Sequence, residues 1–357
     1  MLRKIEKAVR AHHLEHGPGH VVMFVAIGAT LALVAAVDIA WVAGFGKVAA
    51  RLRDVNVFWL LLALAGAATT HIGYVLAYRE IARVDSGLQI GLTRTGALVA
   101  TGFGVFVPRG GFALDLEALR DLGVPPREAR VRVLGLGSLE YVVLASGALA
   151  CSLLLLVRGS HAERAVTLSW AIGVPLGTLV ALLAVRFRDV VCRGRFGEVL
   201  RPALDGIAVV GKILRHPREH AAAALAGMTL YWASEVFVLW ACVAAFDRAT
   251  PSVPELVVGY ATGYALTRRT LPLAGAGAVE ALLPFALTWM GFALAPAVLA
   301  VFAYRICNVW LPVGPALAGL IALRLRRADL ATNAEVGGDD HDVAAAKEAG
   351  GADHVHR

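Results

Sequence analysis

Two short segments of this chain place arginine and glycine in an order suited to holding an anion, and the second adds an acid. One is Pro108-Arg109-Gly110-Gly111. The other runs from Arg268-Arg269 through Pro272-Leu273-Ala274-Gly275-Ala276-Gly277 to Glu280. In each, a proline and small-residue turn delivers the chain into a new helix, at about residues 112–122 and 279–293. The first turn of a helix leaves backbone N–H groups unpaired and carries partial positive charge. Glycine lets a ligand come close to that backbone, so either turn would suit a lipid phosphate. The contacts expected of it are Arg109, Gly110, Gly111, Arg268, Arg269, Gly275 and Gly277. The competing reading is that the arginines only snorkel to the headgroups. Glu280 has two readings as well: a helix-start acid paired with Arg305 or Arg268, or a site for a cationic head group or a coupling proton.

Further titratable groups fall inside apolar stretches. Glu140 and Glu235 sit within full-length spans and are pathway candidates. His71 reads first as a helix-packing hydrogen-bonder and second as a proton relay. Asp38 lies near a span end, within reach of water. The cluster His12-His13-Leu14-Glu15-His16-Gly17-Pro18-Gly19-His20 lacks the spacing of a structural metal site and reads as a wetted juxtamembrane segment. Cys151, Cys192, Cys242 and Cys307 are far apart, so neither a disulfide framework nor a zinc site is implied. Nucleophile elbow, P-loop and dinucleotide fingerprint are all missing, so no catalytic residue and no cofactor is expected.

The composition shows what must position these groups. Of 357 residues, 58% are hydrophobic and 17% charged, against about 45–50% and about 25% in soluble domains. That surplus over this length belongs in lipid. The net charge of +7 divides into +12 on residues 1–327, in short loops between apolar runs, and −5 on residues 328–357, which carry two basic and seven acidic side chains. This is the pattern of cytoplasmic loops facing anionic lipid, and nucleic acid is not an expected partner.

Crossing about 30 Å of hydrocarbon takes about 20 apolar residues. Six stretches qualify: 21–44, 57–78, 133–157, 166–185, 221–246 and 296–323. Two others, 93–107 and 256–271, are short, glycine-rich and broken by proline, which suits re-entrant hairpins near 93–122 and 256–293. If both dip in and return, with the N-terminus cytoplasmic, the inside segments hold about 23 Lys and Arg and the outside about six. Residues 1–20 then form a cytoplasmic segment, 21–327 the transmembrane domain and 328–357 a disordered cytoplasmic tail. The amphipathic stretches 45–55 and 187–218 read as interfacial helices.

The two hairpins resemble one another. Ala100-Thr101-Gly102-Phe103 matches Ala261-Thr262-Gly263-Tyr264, and further on Gly123-Val124 and Gly291-Phe292 each open a helix expected to exceed 20 residues. Three full spans separate the copies, so they would enter from opposite faces. The expected fold is an all-α polytopic membrane protein, with about six transmembrane helices and two broken-helix hairpins in an inverted repeat.

Over roughly residues 20–325 the chain resembles the transmembrane region of lysylphosphatidylglycerol synthases, the family that includes the flippase half of the multiple peptide resistance factor and stand-alone homologues. The resemblance is carried by Pro108-Arg109-Gly110-Gly111 leading through Leu119-Arg120-Asp121-Leu122-Gly123-Val124 to Ala129. It is carried also by the turn from Pro272 to Gly277 with Ala278-Val279-Glu280-Ala281, and by Tyr304-Arg305-Ile306-Cys307-Asn308-Val309-Trp310-Leu311-Pro312. The chain departs from the family pattern where Leu273 and Ala274 replace a usual proline and glycine. Phe112-Ala113 stands where an acid is expected and Gly137 where an arginine is expected, while Glu140 keeps the acid one turn on.

The resemblance implies a lipid translocator or the membrane module of a lipid-modifying enzyme. The expected function is to bind and flip an anionic or aminoacylated phospholipid or a polyprenyl-phosphate lipid, without catalysis, in a bacterial-type inner membrane with both termini cytoplasmic. The alternative is a non-transporting accessory module that presents lipid to a separate transferase or glycosyltransferase. Lysyl-lipid synthesis by this chain alone is not expected.

Overall fold

The computed structural model describes residues 18–83, 90–104, 115–117, 119–120, 122–160, 162–193, 197–215, 221–247, 251–264 and 272–314. The first seventeen residues, the acidic tail, Arg109-Gly110-Gly111 and Arg268-Arg269 lie outside the described residues. Among those described there is no strand. The helices in chain order are α1 (Pro18–Ala43), α2 (Phe45–Arg53), α3 (Val57–Arg83), α4 (Leu92–Gly104), α5 (Pro126–Arg158) and α6 (Arg164–Arg186). They continue with α7 (Gly197–Arg215), α8 (Ala221–Phe246), α9 (Val253–Tyr264), α10 (Ala278–Trp289) and α11 (Leu294–Arg305). A 3₁₀ turn over Pro272–Gly275 precedes α10, and α11 runs on as a π-helical turn over Ile306–Trp310.

Five of these, α1, α3, α5, α6 and α8, are long and apolar enough to cross a membrane. Their outer faces carry exposed Leu33, Trp41, Leu61, Ile72, Ile172 and Val180, and α6 buries only Thr167. Apolar surface left uncovered on this scale suits lipid as the solvent. The chain is a multi-pass, all-α membrane protein. By contrast α10, bounded by Gly277 and Met290, has 12 residues, about 18 Å at 1.5 Å per residue, too short to cross alone.

Lipid tails are as apolar as leucine, so helices in a membrane associate through close packing and polar contacts rather than water exclusion. The centre of the fold shows this. Where α3 crosses α8, a Cβ on Gly73 would stand 2.5 Å from the Tyr231 backbone nitrogen, and one on Gly227 2.7 Å from that of Ala77. Buried Ala63, Ala67, Thr70 and Ala77 extend the same stripe of small residues on α3.

Two expected spans have different bounds, and the second amphipathic stretch gains a packing partner. The span expected at 133–157 begins at Pro126, with proline at the start of α5 and Glu128 in its first turn, both favourable there; residues 126–132 are helix, not loop. Within the amphipathic stretch 187–218, Gly197–Arg215 is a helix whose apolar face meets protein. It buries Leu204, Val209, Val210 and Ile213 and lies against α5, where a Cβ on Gly206 would come within 2.9 Å of Leu134. The span expected over 296–323 starts at Leu294 and is interrupted by the π turn.

The two turns singled out by the repeat share one backbone geometry. Gly123 and Gly291 have φ of 85° and 95°. Val124 N–H donates to Leu119 O at 3.1 Å, and Phe292 N–H donates to Leu287 O at 3.1 Å; Gly123 and Gly291 N–H donate to Arg120 O and Thr288 O. Both are the hydrogen-bond pair of a glycine-terminated helix. α5 and α11 each begin three residues later, and Ala129 and Ala297, six residues after the glycines, are buried.

Candidate functional site

Short helices α9 and α10 lie side by side because glycine removes the side chains between them. A Cβ on Gly263 would sit 2.6 Å from Leu283 Cα, and one on Gly259 3.1 Å from Leu287, one turn further along α10. The turn that leads into α10 includes Leu273, Gly275 and Gly277 with φ of 57°, 66° and 84°. Left-handed backbone suits the two glycines and is strained for Leu273. The turn aims the start of α10 toward α11, and α11 packs against α8.

Two carboxylates meet the inner face of α11. Glu280 Oε1 accepts from Arg305 Nε at 2.7 Å, and its Oε2 accepts from Gly277 N–H at 2.8 Å. Arg305 and Glu280 are both buried, at 0% and 3% relative exposure. Glu235, at the centre of α8, is wholly buried. Its Oε2 accepts from Tyr304 Oη at 2.5 Å, from Asn308 Nδ2 at 2.7 Å and from Tyr260 Oη at 3.2 Å. The two phenol oxygens also stand 3.0 Å apart, so either can give its single proton to the other instead of to Glu235.

Helical spacing explains the convergence. Tyr304 and Asn308 are one turn apart on α11 and the π turn, as are Tyr260 and Tyr264 on α9, so each pair presents one face. Tyr264 packs on Tyr260 and Tyr304, with centroids 4.9 and 5.7 Å away. Trp232, one turn before Glu235, lies edge-on to Tyr260 at 5.9 Å and donates its Nε1–H to the main-chain carbonyl of Glu140 at 2.8 Å. Isolated charges in this setting would cost several kcal/mol each, and they persist where hydrogen bonds and opposite charge satisfy them.

Of the residues expected from sequence, Glu280, Arg305, Gly275 and Gly277 come together at the second turn, and Glu235 meets Tyr304, the residue before Arg305. Between the two readings of Glu280, the geometry is that of the helix-start acid paired with Arg305. Its carboxylate occupies the amide of Gly277, the place that the spacing of the turn suggests for a phosphate. Glu140 is buried on α5. His71 is half-buried and bonds through Nδ1 to Ala67 O on its own helix at 2.9 Å; since a carbonyl only accepts, Nδ1 carries the proton. Arg109, Gly110, Gly111, Arg268 and Arg269 fall outside the described residues. Among the described residues no group of three His, Cys, Asp or Glu side chains is placed to hold a metal.

Sequence reasoning passes over Tyr260, Tyr264, Trp232 and Asn308 as functional candidates. For Asn308 there is a signal, its one-turn spacing from Tyr304 in an otherwise apolar run.

The sequence profile of the family described as "Lysylphosphatidylglycerol synthase TM region" matches residues 23–316, from the first turns of α1 to just beyond the π turn. Comparison with curated protein sequences finds no match. The matched span includes every described element of the buried cluster, and the chain belongs to the lysylphosphatidylglycerol synthase TM region family.

Proposed function

We propose that this protein binds an anionic or aminoacylated phospholipid, or a polyprenyl-phosphate lipid, and translocates it across the membrane without chemically altering it. The observation that carries the reading is a fully buried polar cluster, Glu235, Glu280 and Arg305, beside α10, a helix too short to cross. Charged side chains at membrane depth mark substrate or ion pathways, and broken helices with glycine turns are where transporters place their sites. The family's description names a lipid-modifying synthase, which supports a lipid as the cargo.

In this reading the two hairpins are re-entrant and related by an inverted repeat. The head group enters between them while the tails stay in lipid. The residues that the sequence assigns to the anion are Arg109, Gly110, Gly111, Arg268 and Arg269, with the turn at Gly275 and Gly277. Both termini face the cytoplasm of a bacterial-type inner membrane, as the distribution of basic residues supports.

The test is a head-group accessibility assay in proteoliposomes, run across a panel of phosphatidylglycerol, lysylphosphatidylglycerol and polyprenyl-phosphate reporters. Protein-dependent exposure of at least one reporter to an external quencher is the expected result. No acceleration for any reporter would overturn it.

A second reading is an accessory module that presents lipid to a separate transferase. The scope of the matched family, the membrane part of a synthase, favours it. Co-purification with a transferase, and failure to move any lipid alone, would put it first.

A further inference from the structure

Glu235 differs from Glu280 in the company it keeps. Glu280 faces a guanidinium at 2.7 Å. The donors given to Glu235 Oε2 are two phenols and an amide. A phenol hydroxyl both donates and accepts, whereas a guanidinium only donates. Tyr260 and Tyr304 can therefore satisfy Glu235 as a carboxylate by donating, or as a carboxylic acid when one of them turns its lone pair toward the acid proton. The other hydroxyl, 3.0 Å away, accepts the proton that the reversed hydroxyl no longer gives to Glu235. A wholly buried acid with reversible neighbours can change protonation without leaving a polar group unsatisfied.

We propose that Glu235 is a proton-carrying site, that Tyr260 and Tyr304 are its positioning residues, and that its protonation state is coupled to the Glu280 turn through α11. No bond to carbon changes and nothing is oxidised or reduced. Glu235 takes one proton from water on one side of the membrane and returns it to water on the other.

The path of the coupling is short. Tyr304 precedes Arg305 in the same helix, and Arg305 holds Glu280 at the start of α10. A change in the hydroxyl at Tyr304 is thus one residue away from the pair that fixes the glycine turn.

The elements packed on α8 are α3, α5, α9 and α11. From them the titratable or charged groups that bond or act on Glu235 are Tyr260, Tyr304, Arg305 and Glu140, with Tyr264 packed on both phenols. Arg305 and Glu140 act on Glu235 through space, and the Arg305 charge is matched at contact by Glu280.

The coupling half rests on the lipid translocation proposed above; the protonation half does not. Infrared difference spectra of the purified protein, taken across about pH 4 to 9, a window wide enough for buried glutamates, read the protonated-carboxyl carbonyl band directly. A band that disappears with rising pH, is lost in Glu235→Gln, is kept in Glu280→Gln and shifts in Tyr304→Phe is the expected result. A spectrum that Glu235→Gln leaves unchanged would overturn the proposal whatever the protein transports. In proteoliposomes that move a reporter lipid, an imposed pH gradient should change the initial rate at least threefold for the natural protein and not for Glu235→Gln. Equal gradient response in both would overturn the coupling and leave lipid translocation standing.

Discussion

Glu280 and Arg305 form a buried ion pair across 25 residues of sequence, joining the first turn of α10 to the last turn of α11. Glu280 also caps the amide of Gly277, so one side chain holds both the glycine turn and the guanidinium. Removing one partner leaves the other charge buried and uncompensated, which costs about 3–5 kcal/mol, whereas replacing both with apolar groups costs much less. Glu280→Gln and Arg305→Met should therefore each lower the melting temperature in detergent. The double variant Glu280→Leu/Arg305→Met should be less destabilised than the sum of its single changes. Additive losses would show that the pair is not the interaction that matters there.

The crossing at Gly73 and Gly227 makes a sharper stability prediction. Each glycine faces the backbone of the other helix at distances no Cβ tolerates. Alanine at either position forces α3 and α8 apart along the stripe from Ala63 to Ala77. Overpacking of this kind costs about 1–3 kcal/mol. Gly96, with open space around it and an ordinary backbone conformation, is the control: Gly96→Ala should be neutral or slightly stabilising in a helix. Thermal unfolding of the three variants in one detergent decides it.

Much of this arrangement is legible in the amino-acid sequence. Length and hydropathy place α1, α3, α5, α6 and α8, because crossing lipid requires long apolar helices whatever their partners. Arg305 is one of two partners open to an acid at the position of Glu280. The start of α5 is harder to read because Arg127, Arg130 and Arg132 look like loop charge. Pro126 and Glu128 are the contrary signal, and Arg132 is in fact bonded to Ala82 O at the end of α3 and to Glu128. The Tyr260, Tyr304 and Asn308 grouping on Glu235 is not legible. It depends on how three helices cross, and tyrosine in an apolar run is ordinary packing until the crossing is known.

Topology gives a test of the orientation proposed here. In a background without Cys151, Cys192, Cys242 and Cys307, a single cysteine at Arg201, half-exposed on α7, should react with an impermeant maleimide only from the cytoplasmic side. One at Ser252, exposed before α9, should react only from the outside. α8 lies between the two positions and is long enough to cross once, so labelling of both from the same side would contradict it. Labelling of each from the opposite side would invert the proposed orientation.

The last prediction separates a glycine that meets lipid from one that only shapes a turn. Gly277 and Gly291 flank α10, one at each end, with φ of 84° and 95°. Alanine at either costs about 1–2 kcal/mol for left-handed backbone. Their surroundings differ. A Cβ on Gly291 meets nothing within 4 Å, while one on Gly277 comes within 3.4 Å of Leu31 on α1, at the turn where a head group is proposed to approach. Gly277→Ala and Gly291→Ala should thus lose similar stability, and the 3.4 Å contact is close enough to ordinary packing for Leu31 to give way. If the turn meets the head group, Gly277→Ala should slow lipid exposure in proteoliposomes at least fivefold while Gly291→Ala stays within twofold of the natural protein. Leucine at position 277 should abolish it, and the long helices should still insert, because each satisfies its own backbone hydrogen bonds. Equal rates in the two alanine variants, at matched reconstitution, would make both ends of α10 scaffold and move the head-group path away from Gly277.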